Sequence, residues 1–329
     1  MDMNFDDRRY IIATDYINPD AVSDVSGAIQ ALIDENPNRT IFFPDGEYRL
    51  AHPILTPAHP KKSVDLQLSN FACFKASSTW SSSEAMIRLG AKDPANDISA
   101  PGSNYGICGG ILDGSGVATA LSIEGGRETY VRNVNIKNAQ IGLHIQRGAN
   151  NGSSDADIHS VNIVGNGCPD SIGVLIEGYD NTLTNMRIAN VFVGVDVRSG
   201  GNMLRNIHPL FHIHEETYDR YDSSAGFRIR HPMNWFDYCY SDQFAVGFDT
   251  TGGGVFKNCF CWWYSDKEPL HVAVRSREPF FGHIDMLTIG GNHHPDYPNR
   301  FTESDNISEM AAIEHVVLLS SDGNPHVIK

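Results

Sequence analysis

Between Thr119 and Ser320 the chain returns eight times to one six-residue phrase in which apolar residues alternate with others. It reads ALSIEG (120–125), GLHIQR (142–147), GVLIEG (173–178), GVDVRS (194–199), GFRIRH (226–231), GFDTTG (247–252), HVAVRS (271–276) and HVVLLS (315–320). Successive starts lie 22, 31, 21, 32, 21, 24 and 44 residues apart, so a step of 21–24 residues is stretched by insertions. A repeat of that length marks a solenoid, whose units stack on their neighbours around one continuous core. Alternation with period two gives each phrase an inward and an outward side.

Every repeat also carries a second phrase, such as YVRNVNIKN (130–138), DIHSVNIVGN (157–166), NTLTNMRIAN (181–190), NMLRNIH (202–208) and VFKNCFCW (255–262). Asn133, Asn185, Asn206 and Asn258 recur at one place in it, with Ser160 once in the same slot. Asparagines that bond their equivalents in the rungs above and below would form a ladder at a tight bend. Two or three short strands per step, with no helix between them, fit a parallel β-helix with strands about 4.8 Å apart along the axis. Upstream, Val25, Ala28, Ile29, Leu32 and Ile33 are spaced as one side of a helix, and 39–50 (RTIFFPDGEYRL) reads as strand, turn, strand. A helix there would close the exposed end of the stack.

The opening DVSGAIQALIDENPNRTIFFPDGEYRLAHPI and the NVxIxN…GIxL rungs resemble the pectate-lyase-like superfamily of carbohydrate-active proteins. The resemblance implies an all-β fold, a right-handed parallel β-helix with a short N-terminal capping helix. It would be a single domain over 1–329, with the cap region at 1–55 and the clearest rungs at 119–320. For function the resemblance implies a carbohydrate partner, acted on in a groove on the outer face. The superfamily holds glycoside hydrolases, polysaccharide lyases, epimerases, fructan transferases that form trimers, and phage tail spikes, and fold alone does not choose among them. The phrase GFRIRHP is similar to the RIK phrase of polygalacturonases, but that family's NTD, GDD and GHG phrases are absent. The vWiDH and RxPxxR phrases of pectate lyases are absent too, so no catalytic residue is carried over from either family.

The outward columns can be read directly. Third positions run Ser122, His144, Leu175, Asp196, Arg228, Asp249, Ala273 and Val317; fifth positions run Glu124, Gln146, Glu177, Arg198, Arg230, Thr251, Arg275 and Leu319. Charge therefore gathers on the middle rungs. A solvated face of paired charges is the plain explanation, and such pairs contribute little. The insertions suggest more: 148–156 lengthens the bend after the phrase, 208–225 and 292–312 the bend before it. Loops on both borders would turn this sheet into the floor of a groove. His208, His212, His214, Glu215, Glu216 and Tyr218 lie on one such loop, with Tyr240-Ser241-Asp242 and Trp262-Trp263-Tyr264-Ser265-Asp266 on the same border. Aromatic faces beside carboxylates suit sugar rings, although burial under the loops is an equally ordinary fate for the two tryptophans.

Glycoside hydrolysis by paired carboxylates needs separations of about 5–5.5 Å for retention or 6.5–9.5 Å for inversion. Asp196 and Asp249, two rungs apart, fall near the inverting limit; Asp242 and Asp266, in matching YSD phrases, are expected about one rung apart. Glu215 could supply either role. Substrate binding is assigned to Arg198, Arg228, Arg230, Arg275, His212, His214, Tyr218, Trp262 and Trp263. The expected function is cleavage of glycosidic bonds by a glycoside hydrolase. The alternatives are a lyase or epimerase using an Arg or His base, a fructan-transferase-type enzyme, and a non-catalytic glycan-binding or tail-spike module. The HxH at His212 and His214 falls short of the convergent ligands that zinc needs, so no metal is assigned. No cofactor is expected, and calcium is the one that the resemblance admits.

The net charge of −15 argues against general affinity for nucleic acid or anionic membranes. The six cysteines form no CxxC pair and are expected as reduced thiols, with Cys239 and Cys259 stacked about one rung apart. The opening MDMNFDDRRY is acidic and polar, unlike a signal peptide; a cytoplasmic protein, or a secreted one whose signal has been removed, is expected.

Overall fold

The computed structural model describes residues 10–59, 62–92, 105–148, 153–212, 220–263, 271–278, 280–291, 300–302, 313–319 and 325–328. In it the six-residue phrases stack as the centre of a ten-stranded, wholly parallel front sheet running from Ile54–Leu55 to Arg300–Thr302. The second phrases form a twenty-stranded back sheet, parallel except where Pro325–Ile328 runs against Ile313–Leu319. Each coil thus pairs with the one above and below, and only the ends of the stack have open edges. At one end the helix Ser26–Glu35 packs Ile29, Leu32 and Ile33 into the core. The Asp24 carboxylate accepts from the Ser26 amide at 3.0 Å, satisfying a donor in the first turn.

Inward positions form one apolar column after another. Leu121, Leu143, Val174, Val195, Phe227 and Phe248 are all fully buried, with the rings of Phe227 and Phe248 stacked at 4.9 Å. Register follows the small residue that opens each phrase. A methyl group on Gly142, Gly173, Gly194 or Gly226 would strike the carbonyl oxygen of the next coil's glycine, and one on Gly247 would meet that of Ala273 at 2.7 Å. Only small residues fit that column.

This corrects the seventh rung. Ala273, not His271, is the equivalent of Gly247, so Phe248 pairs with Val274 and Asp249 with Arg275. A two-residue slip preserves which side chains point inward but moves Arg275 beside Asp249, and Arg277 enters the column next to Thr251 on the following coil. The eighth phrase is corrected as well: Ile313–Leu319 lies in the back sheet, paired with Phe281–Gly291, and Arg300–Thr302 takes its expected place in the front sheet.

The back sheet is creased where the chain turns left-handed. Asn133, Ser160, Asn185, Asn206 and Asn258 have φ of 52–56°, a conformation that costs an ordinary L-residue about 1–2 kcal/mol. Asn206 Nδ2 donates to Asn185 Oδ1 at 2.8 Å, so the expected ladder forms at one step; Asn133 reaches Cys108, Asn185 reaches His159 and Asn258 reaches Asp237 instead. A second ladder, not legible as a repeat, runs through Asn181, Asn202 and Asn234. All three are fully buried, and their amides are linked at 3.0 and 3.1 Å. Cys239, Cys259 and Cys261 are free thiols in the core, and burial pushes Cys239 and Cys261 well above the ordinary thiol value.

Candidate functional site

The outer face of the front sheet divides at its middle. On the lower coils the described charges at the third and fifth positions have close partners. Arg88 donates twice to Glu124 at 2.7 Å, and Ser122 donates to the same carboxylate at 2.6 Å. Glu177 sits between His144 at 2.9 Å and Arg198 at 3.1 Å. Burial works against both carboxylates, but Arg88 and Ser122 hold Glu124 below its ordinary value, and His144 and Arg198 do the same for Glu177.

Higher up, the register runs Asp196, Arg228, Asp249, Arg275 along one column. Asp196 is fully buried and accepts from Arg198 at 3.2 Å and Arg230 at 3.3 Å. Asp249, 5% exposed, is gripped on both oxygens by Arg277, at 3.3 and 3.0 Å. Arg228 stands between the two aspartates and donates to the Ser223 carbonyl at 2.9 Å, which ties the border loop to the sheet. Burial pushes this guanidinium below its ordinary value; Asp196 and Asp249 oppose the shift and Arg230 and Arg277 add to it. Its protein partners therefore compensate its desolvation only in part.

These upper coils and the border loop enclose a groove of about 560 Å³. It is lined by Arg220, Arg228, Arg230, Arg275 and Arg277 with Asp222, Asp249, Ser223 and Thr251. Five arginines face two aspartates.

Of the residues singled out from sequence, Arg228, Arg230, Arg275 and Asp249 come together here. Asp196 and Arg198 do not line the groove: Asp196 is sealed beneath its two arginines, and Arg198 is taken up by Glu177 and Asp196. His212 is exposed but away from the lining. Asp242 belongs to the back sheet, 3.5 Å from His208 and 6% exposed. It pairs with Trp262, not at the register that the two YSD phrases led one to expect. Trp263 is no sugar platform. It is fully buried, donates its indole N–H to the Phe244 carbonyl at 2.6 Å and stacks on His271. Trp262 is half-buried on the back sheet, stacked on Phe260. Glu215, His214, Tyr218 and Asp266 lie outside the described residues.

Sequence reading missed Arg277, which could have been found by aligning Ala273 with the glycines that open the other phrases. Arg220 and Asp222 were not singled out, but they fall in the 208–225 insertion that was expected to wall the groove, and they do line it. Among the described residues no group of three or more His, Cys, Asp or Glu is placed to hold a metal ion.

No protein-family model matches the chain, and no curated protein matches it in sequence. Solved structures do match in shape. The surface protein and adhesin PfbA of Streptococcus pneumoniae has a TM-score of 0.59 at 12% identity, over 89% of this chain and 88% of that one. An endo-xylogalacturonan hydrolase from Aspergillus tubingensis has 0.56 at 13%, over 90% and 96%. An alginate lyase from Paenibacillus sp. str. FPU-7 has 0.52 at 11%, over 90% and 98%. The likeness establishes the fold, a right-handed parallel β-helix.

Proposed function

We propose that the arginine groove holds an anionic polysaccharide, of which a uronate chain is the simplest form, and that the protein breaks its glycosidic bonds by hydrolysis. The observation that carries this reading is the surplus of five arginines over two aspartates in one groove of a chain whose net charge is −15. A guanidinium presents a planar fork that matches a carboxylate, and Arg228 stands at the centre of the column, between Asp196 and Asp249. The two groove carboxylates are Asp249 on the sheet and Asp222 on the border loop. One would protonate the leaving oxygen while the other activates water. The fully buried Asp196 serves instead as the anchor that positions Arg230.

Elimination is the second reading, favoured by the same arginines, which would stabilise the enolate formed beside a uronate carboxylate. The fold hosts both an endo-xylogalacturonan hydrolase and an alginate lyase, and also an adhesin. Incubation with polygalacturonate, xylogalacturonan, alginate and a neutral xylan separates the cases. New reducing ends without ultraviolet absorbance support hydrolysis; both signals together indicate elimination. Cleavage of the neutral polymer alone would overturn the acidic-substrate assignment, and binding without cleavage would overturn catalysis.

A further inference from the structure

One coil breaks the ladder at the crease of the back sheet. Arg205 pairs with Asp237 and Asp237 with Lys257, so Tyr238 stands directly between Asn206 and Asn258. It has the same left-handed backbone as they do, with φ of 58°. The asparagines suit that conformation because their short amides can bond along the ladder. A tyrosine cannot, and Tyr238 does not compensate by packing inside: it is 66% exposed. Neither the bend nor the core explains an aromatic residue here.

The surroundings of the ring supply the second observation. Depressions lie on both sides of it and share Tyr238 and Asn258. One, about 350 Å³, extends to Tyr240, Phe260 and Thr288; the other, about 490 Å³, extends to Thr184, Arg205 and Asp237. An exposed ring flanked by planar amide, guanidinium and carboxylate groups offers a stacking face and hydrogen-bonding partners in both directions. No residue is shared with the lining of the front groove.

We propose that this crease is a second carbohydrate-binding subsite, where a pyranose ring stacks on Tyr238 and bonds to Asn258, Arg205 and Asp237. It rests on the reading of the front groove only in taking the same polysaccharide as its ligand. A chain held at both places would be retained while the groove turns over, without any change in the chemistry there.

Calorimetric titration with tetragalacturonate and, in parallel, tetramannuronate tests it. The whole protein should bind two molecules of at least one of them. Tyr238→Asn should abolish one site, lowering its affinity at least tenfold, while the thermal midpoint stays level or rises, because asparagine suits the left-handed backbone better than tyrosine. Tyr238→Phe should keep both sites, since the ring is retained. The double variant Arg228→Ala/Arg230→Ala should lose the other site. If it keeps both while Tyr238→Asn loses one, the groove reading fails and the crease stands. One site in the unaltered protein, or two in Tyr238→Asn, would overturn the proposal. So would altered self-association of Tyr238→Asn with sugar binding unchanged, which would mark the ring as a protein contact.

Discussion

The lower and upper coils of the front sheet are built from the same phrase, yet they treat charge in opposite ways. Below, Arg88 meets Glu124, and Glu177 is shared by His144 and Arg198, so the face is neutralised by its own side chains. Above, Asp196 and Asp249 are already occupied by Arg230 and Arg277, and Arg220 reaches Asp170 at 3.4 Å, yet Arg228 lies between the two buried aspartates and five guanidinium groups line one groove. Charge density alone therefore says little about function. A surplus of one sign at a place that a border loop makes concave says more.

That contrast can be broken by experiment. The largest effect is expected from Asp249→Asn, which should lower turnover by about a hundred- to ten-thousand-fold in a protein that still folds, with a loss of stability of about 2 kcal/mol for the Arg277 pair. Unaltered turnover on the polymer that the unmodified protein cleaves would remove Asp249 from the site. Next, Arg228→Ala/Arg230→Ala should weaken binding of an acidic oligosaccharide by about a hundredfold, and the remaining affinity should depend less on salt. Equal salt dependence before and after would show that the groove does not read charge.

The lower coils should reveal themselves in stability instead. Glu124 and Glu177 are held below the ordinary value of 4.5, so their pairs contribute stability above it and lose that contribution as pH falls through the lowered value. Urea midpoints should drop on acidification below about pH 4.5, and Glu124→Gln should flatten the drop while lowering stability at neutral pH by about 2 kcal/mol. A drop of the same depth in the variant would count against the Arg88–Glu124 pair as its source. The smallest effect belongs to Arg88→Ala: oligosaccharide affinity should stay within about twofold, because this arginine serves only its own carboxylates. A loss comparable to that of the groove variant would erase the distinction between the two halves.

Much of this was legible in the chain. The alternation in GVDVRS and GFRIRH gave the inward and outward columns, and parity survived even the two-residue slip at the seventh rung, because a shift of two leaves the faces unchanged. Arg228, Arg230, Arg275 and Asp249 were therefore recognisable as outward residues of neighbouring coils. The register expected for Asp242 was off for a related reason. Identical YSD letters suggested one register, while the Cα pairing of the back sheet set Asp242 against Trp262. Trp263 was ambiguous in sequence because an aromatic residue fits a core and a sugar platform equally well; strand parity in the back sheet resolved it.

What the sequence determined by itself is the solenoid: its step, its capping helix, its two-faced strands and the rungs on which charge collects. Those properties depend on periodicity, which is local and repeats often enough to be read. Only the tertiary structure decided which charges neutralise one another and which remain for a ligand. Whether Asp196 is sealed under Arg198 and Arg230, or whether Asp222 reaches the groove, depends on side chains that approach from separate coils and from an irregular loop. Such distances between coils have no counterpart in the order of residues along one strand.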